Sequence, residues 1–275
     1  MECGYSNIVI IMNKKDRTNM KTRTIGIFDS GIGGLSVLAR AREAMPDVDF
    51  LYYADTAHVP YGIKRRDEIV GYSVAAAKFL VERGAEAMLV ACNTATSMAV
   101  DTLRSSFSCP IVGMEPAVKP AVIHHPGGRI LVCATPATIG GEKLHDLLQR
   151  NGAGAEVDLC ALPELVSFAE AGEFSVDVVS RYIRSVVGRT DYSACVLGCT
   201  HFPYFRDSFR RVFPMAELVD GTEGTVRRLC QVIGYKPPEE GNVFGTVKYY
   251  RTGESVADAA SLQFFALLQK RARDV

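Results

Sequence analysis

An α/β fold of two similar domains, with mainly parallel sheets and a binding cleft between them, is what this sequence leads us to expect. Short apolar runs alternate with stretches of helical periodicity along nearly the whole chain, the pattern of parallel strands covered by helices on both faces. Two of those runs end alike, "LVACNTAT" at 89–96 and "VLGCTHFP" at 196–203, each with a cysteine at the tip followed by small hydrogen-bonding residues. The two cysteines lie about a hundred residues apart, too far for a solenoid repeat and suited to two related small domains.

"TIGIF" (24–28) reads as the first buried strand, and the Gly-rich "SGIGG" after it opens a helix from about Leu35. "DFLYYAD" (49–55) is the second strand. "RDEIVGYSVAAAKFLVERG" (66–84) carries apolar residues at helical spacing and stops at Gly84, a residue suited to a helix C-terminus. "EAMLVAC" (86–92) is a strand, Asn93 and Thr94 are set to cap the next helix, and "CPIVGM" (109–114) is another short strand. After the loop "HHPGG" (124–128) the pattern resumes with strand "RILVCAT" (129–135), helix "GGEKLHDLLQRNG" (140–152) and strand "AEVDLCAL" (155–162). Helices over 163–171 and 176–187, strand "SACVLGC" (193–199) and a helix after Pro203 follow. "MAELVDG" (215–221) is a late strand whose helix ends near Gly234, and "VKYY" (247–250) is a last strand before a last helix. Residues 1–23 read as a disordered N-terminal extension, 24–117 with 223–275 as the first domain, and 118–222 as the second. "HHPGG" and "GYKPPEEGN" are the loops that could mark joints.

The 275 residues, 48% hydrophobic, supply a sizeable core. Thirty-one basic and 31 acidic residues cancel, which argues against a nucleic-acid partner and against a polybasic membrane patch. "IVIIM" (8–12) is far too short for the roughly 20 residues that cross a bilayer, and it lacks the marks of a secretory signal. Eight cysteines in so long a chain point to a reduced, cytoplasmic protein rather than a disulfide scaffold. Cys109, Cys133, Cys160, Cys195 and Cys230 read as ordinary small core residues.

"FDSGIGG" (28–34) is neither a dinucleotide fingerprint, since Gly31, Gly33 and Gly34 are wrongly spaced, nor a phosphate loop with its lysine. Ligands of open parallel sheets bind at the carboxyl ends of strands. Asp29 there would repel phosphate. With Ser30 it suits an ammonium or another hydrogen-bonding group, the alternative being a helix cap and a solvated carboxylate. Asp55 stands at a second strand tip, and the turn of Pro60, Tyr61 and Gly62 could offer backbone amides to a carboxylate or be a plain connection. His58 alone carries no signal. Cys92 and Cys199 each precede an expected helix N-terminus, which lowers a thiol's pKa and favours the thiolate. Asn93, Thr94 and Thr200 could hold a carboxylate, and His201 could act as an acid–base partner. A metal site on Cys195, Cys199 and His201 fits tight ligand spacing only loosely, and the C-x-x-C of a dithiol redox site is absent. Two-base proton transfer, one thiol on each face of a carbon acid, explains why the cysteines come from separate halves.

"IGIFDSGIGGLSVL", "YYADTAHVPYG", "VACNTA" and "VLGCTHFP" occur in the order and approximate spacing of the glutamate racemases, and "KYYRTGE" resembles that family's closing strand. The resemblance runs from Thr24 onward. It implies two α/β domains with the active site in the interdomain cleft, and cofactor-independent racemisation of L- and D-glutamate, supplying D-glutamate for peptidoglycan. No cofactor and no metal are implied, and a homodimer is. Cys92 and Cys199 match the catalytic cysteines; Asp29, Asp55 and His201 match residues that assist them, and Glu170 in "SFAEAG" a further assisting carboxylate. Asp29, Ser30, Pro60, Tyr61, Gly62, Asn93, Thr94, Thr200 and His201 fall on substrate-binding positions, as do Thr135 and Thr138 of "ATPATIGGEKL". That segment has Gly140, Gly141 and Leu144 where the family usually has Ser and Tyr. "VDGTEGTV" and "LPELVSFAEAG" also depart from the usual pattern, all three in the second half. Aspartate racemases share the fold and both cysteines but typically carry Glu where this chain has His201, which favours glutamate.

Overall fold

The computed structural model describes residues 23–238 and 244–273, so the expected N-terminal extension, save Arg23, lies outside the described residues. The first stretch is β1 (Thr24–Asp29), α1 (Leu35–Ala44), β2 (Asp49–Ala54), α2 (Arg66–Glu82), β3 (Ala87–Val90), α3 (Asn93–Ser106) and β4 (Ile111–Gly113). A second runs through α4 (Val118–His124), β5 (Arg129–Ala134), α5 (Pro136–Ile139), α6 (Glu142–Asn151), β6 (Glu156–Ala161) and α7 (Glu164–Glu170). It continues with α8 (Val176–Val186), β7 (Ala194–Leu197), α9 (Arg206–Val212) and β8 (Glu217–Asp220). The chain then returns through α10 (Thr222–Val232), β9 (Val247–Arg251), β10 (Glu254–Val256) and α11 (Ala259–Arg273).

The strands form two sheets, ordered β10-β9-β2-β1-β3-β4 and β6-β5-β7-β8. The second is parallel throughout, and the first is parallel except for the β9–β10 hairpin. In each sheet the opening strand sits between its two successors, β1 between β2 and β3, and β5 between β6 and β7. That is the switch point at which an open parallel sheet leaves a crevice at its carboxyl edge. Strands covered on both faces must be apolar at consecutive positions, so Ile25, Ile27 and Phe28 of β1 and all of β7 are buried. One apolar cluster runs unbroken from Ile27 and Leu89 of the first sheet to Leu131 and Leu197 of the second and Phe202 in the turn after β7.

Several expectations shift in detail. Gly84 does end α2, with φ of +90°. The helix that Asn93 and Thr94 were expected to cap begins at Asn93, and its cap is Cys92. The helix expected over 140–152 is α6, preceded by a separate short helix, α5, that the pattern did not show. A 3₁₀ turn, Phe202–Phe205, precedes α9. α4 and β10 were not foreseen. Val118, Ala121 and Val122 of α4 pack with Ile130, Val132 and Val196 of the second sheet, so "HHPGG" lies inside that unit rather than at a joint. Among the described residues no helix is long and apolar enough to cross a membrane.

Candidate active site

Asp29 closes β1 and is wholly buried. Its Oδ2 accepts the Gly31 N–H at 3.1 Å and its Oδ1 the Thr200 hydroxyl at 3.2 Å. Burial pushes the carboxyl above its ordinary range, against the pull of the His201 charge and the Gly31 and Gly34 amides. The next residue, Ser30, has its Oγ 3.2 Å from the sulfur of Cys92. Two adjacent residues thus touch the cysteine-bearing turns of both sheets. The glycines of this loop serve close approach. A Cβ on Gly33 would collide with the Thr200 hydroxyl and stand 2.7 Å from His201 Nδ1, and one on Gly31 would collide with the Glu170 carboxylate.

Cys92 caps α3, its sulfur accepting the Ala95 N–H at 3.4 Å. The expected lowering of its pKa by the helix end does not hold. Burial pushes the thiol up to about 12, the Asp29 charge adds to that, and the Ser30 and Ala95 hydrogen bonds offset only part. Cys199, also buried, lies two residues beyond β7 with its sulfur 3.7 Å from His201 Nδ1. His201 Nε2 is 2.7 Å from Glu170 Oε1, the oxygen that also accepts the Ile32 N–H at 2.9 Å. Burial by itself would push His201 down, but its contacts with Cys199 and Glu170 outweigh that and raise it well above the ordinary histidine value. A charged imidazole donates through both nitrogens, here towards a thiol and a carboxylate.

Two further groups stand beside this network. Asp55, at the end of β2, accepts the Tyr61 hydroxyl at 2.5 Å and meets His58 Nδ1 at 2.9 Å. Pro60 leads into the turn that carries Tyr61 and Gly62, and a Cβ on Gly62 would be 2.5 Å from Thr135 Cβ. Thr94 Oγ1 lies 2.8 Å from Thr135 Oγ1 and 3.1 Å from Thr138 Oγ1, joining the start of α3 to the turn after β5. Asn93 is 4% exposed, and neither amide atom has a hydrogen-bond partner among the described residues. Buried polar groups are nearly always paired, so this amide suits an incoming polar ligand.

The structure therefore gathers Asp29, Ser30, Cys92, Glu170, Cys199, Thr200 and His201 into one network, with Asp55 and Tyr61 in a second and the three threonines in a third. His58, which alone carried no signal in the sequence, stands three residues after the strand-tip Asp55 and joins it here. Cys195 lies with its sulfur 3.8 Å from that of Cys133 in the second sheet. Among the described residues no three His, Cys, Asp or Glu side chains are grouped to hold a metal ion.

A model of the Asp/Glu/Hydantoin racemase family matches residues 34–229. Glutamate racemase of Campylobacter concisus is 47% identical over 245 residues, 87% of this chain and 93% of its own length. Glutamate racemase 2 of Bacillus subtilis is 40% identical over 240 residues, covering 85% and 90%. The crystal structure of Escherichia coli glutamate racemase, in complex with L-glutamate and the activator UDP-MurNAc-ala, has a TM-score of 0.78 at 30% identity, over 91% of this chain and 95% of that one. The Francisella tularensis enzyme in complex with D-glutamate has a TM-score of 0.74 at 25% identity, over the same shares. This chain belongs to the Asp/Glu/Hydantoin racemase family, among its glutamate racemases.

Proposed function

We propose that this protein interconverts L- and D-glutamate by proton transfer at Cα between Cys92 and Cys199, without a cofactor. The observation that carries the reading is the Asp29–Ser30 pair: one residue touches the Cys92 sulfur, and the other touches Thr200, next to Cys199. A substrate held at that pair has a thiol on either side. One cysteine takes the α-proton as thiolate while the other delivers a proton to the opposite face as thiol, and the roles exchange in the reverse direction. Burial keeps Cys92 in the thiol form, ready to donate. Charged His201, oriented by Glu170, offers Cys199 a hydrogen bond and a compensating charge when that sulfur is negative.

Positioned acid–base catalysis contributes about 10²–10⁴-fold, too little for so weak a carbon acid. The rest falls to donors aimed at the charge developing on the α-carboxylate, for which Asn93 and Thr200 are suited. Asp29 pairs with the ammonium and keeps it protonated. Thr94, Thr135, Thr138 and the amides of the Tyr61–Gly62 turn take the distal carboxylate. On the same reading the protein is a cytoplasmic homodimer supplying D-glutamate for peptidoglycan, as the resemblance to glutamate racemases implies. Purified protein in heavy water should incorporate deuterium at Cα of either glutamate enantiomer with nothing added, and Cys92→Ser and Cys199→Ser should each stop racemisation. Exchange with aspartate but not glutamate would overturn the substrate; exchange with neither would overturn the reaction.

A further inference from the structure

We infer that His58 is a positioning residue for the substrate, holding the turn of residues 60–62 in place through Asp55 and Tyr61. This rests on the reading of that turn as the distal-carboxylate site. The Asp55 carboxylate is buried, and its side-chain donors are the Tyr61 hydroxyl, at 2.5 Å, and His58 Nδ1, at 2.9 Å from both oxygens. His58 is the partly exposed member of the three, with 35% of its side chain accessible. Its ring lies flat on Tyr72 of α2, centroids 3.9 Å apart and planes 15° from parallel, which fixes the direction of Nδ1. The Asp55 carboxylate also faces Tyr53 and Tyr61, whose ionisation it opposes.

A buried carboxylate that loses a donor must find another or turn towards water. Either movement swings the Tyr61 ring that it anchors. Gly62 follows directly and already stands so close to Thr135 that a Cβ would be 2.5 Å from Thr135 Cβ. Thr135 in turn holds Thr94 at 2.8 Å. A displaced turn therefore disturbs the donors facing the distal carboxylate, while Cys92 keeps its own partners, Ser30 and the Ala95 amide, and Cys199 stays with His201. The effect falls on binding rather than on the proton-transfer step.

The test is steady-state racemisation by His58→Leu, which removes the donor, and His58→Asn, whose amide can take the place of Nδ1. The partial exposure of His58 makes both substitutions compatible with folding, and thermal melts check this. For His58→Leu we expect KM to rise about tenfold, the loss of one charge-assisted hydrogen bond, with kcat within about twofold. His58→Asn should restore KM to within about threefold of wild type, and Tyr61→Phe combined with His58→Leu should raise KM less than the product of the single effects, since both act through Asp55. An unchanged KM in folded His58→Leu overturns the inference, as does a fall in kcat that His58→Asn shares. If His58→Leu does not fold, His58→Ala takes its place, alone and combined with Tyr61→Phe, by the same requirement that their effects on KM be coupled. A wild-type protein inert towards glutamate overturns the functional reading itself, and it is recognised before any variant is measured.

Discussion

Stepping Cys92 through a pH series in a Cys199→Ser background isolates one thiol of the pair and removes only the weakest of the named influences on it. Burial moves this thiol from 9.0 to about 12. The thiolate at neutral pH is then roughly a thousandfold scarcer than for an ordinary cysteine, equivalent to about 4 kcal/mol. Alkylation by iodoacetamide, read at Cys92 by mass spectrometry, should therefore rise about tenfold per pH unit without levelling off below about pH 10. Ser30→Ala removes the 3.2 Å hydrogen bond that lowers Cys92 and should slow labelling a further fivefold or about that. Stability has a matching sign. The unfolded thiol releases its proton from about 9 while the folded one keeps it, so this contribution to stability falls as pH rises from about 9 to about 12 and is constant below that range. A labelling plateau near neutral pH would refute the reasoning, because the helix end would then have outweighed burial.

Glu170→Gln removes the charge that helps hold His201 protonated, and should lower kcat/KM by about ten- to a hundredfold in a polarimetric assay. His201 has a raised folded pKa, so its contribution to stability is complete below the unfolded value near 6.5 and is lost as pH rises through the folded one. Urea melts should show the variant penalised most on the acid side. Asn93→Ala deletes a buried amide that has no partner among the described residues, so its unfolding free energy should stay within about 0.5 kcal/mol of wild type while KM rises about tenfold; a large loss of stability would show the amide already satisfied within the fold.

Much of this architecture was legible in the residue pattern. Strands covered on both faces are apolar at consecutive positions, so the middles of β1 and β5 and all of β3 and β7 stand out as unbroken runs, and the polar residues at or just past their ends mark the carboxyl edges where ligands sit. Asp29, Asp55, Cys92, Thr135 and Cys199 each fall at or just past such an edge. β10 was less visible: it is three residues long and depends on Thr252 and Gly253, at φ of +43° and +89°, to double back on β9. α4 was missed because "VKPAVIH" carries Pro120 inside it and runs straight into "HPGG", so the residues read as loop.

Local order alone settled which residue types stand at the strand tips, because strand burial and helix starts are properties of neighbouring positions. Distances between remote segments decided the rest. Glu170 meets His201 and the Ile32 amide across 31 and 138 positions, and the glycines of "SGIGG" are the space that Thr200, His201 and Glu170 fill. The Cys92 thiol shows the division most clearly. A helix N-terminus is written in the order of residues and argues for a thiolate, but desolvation depends on everything packed around the sulfur, and here it is the larger effect.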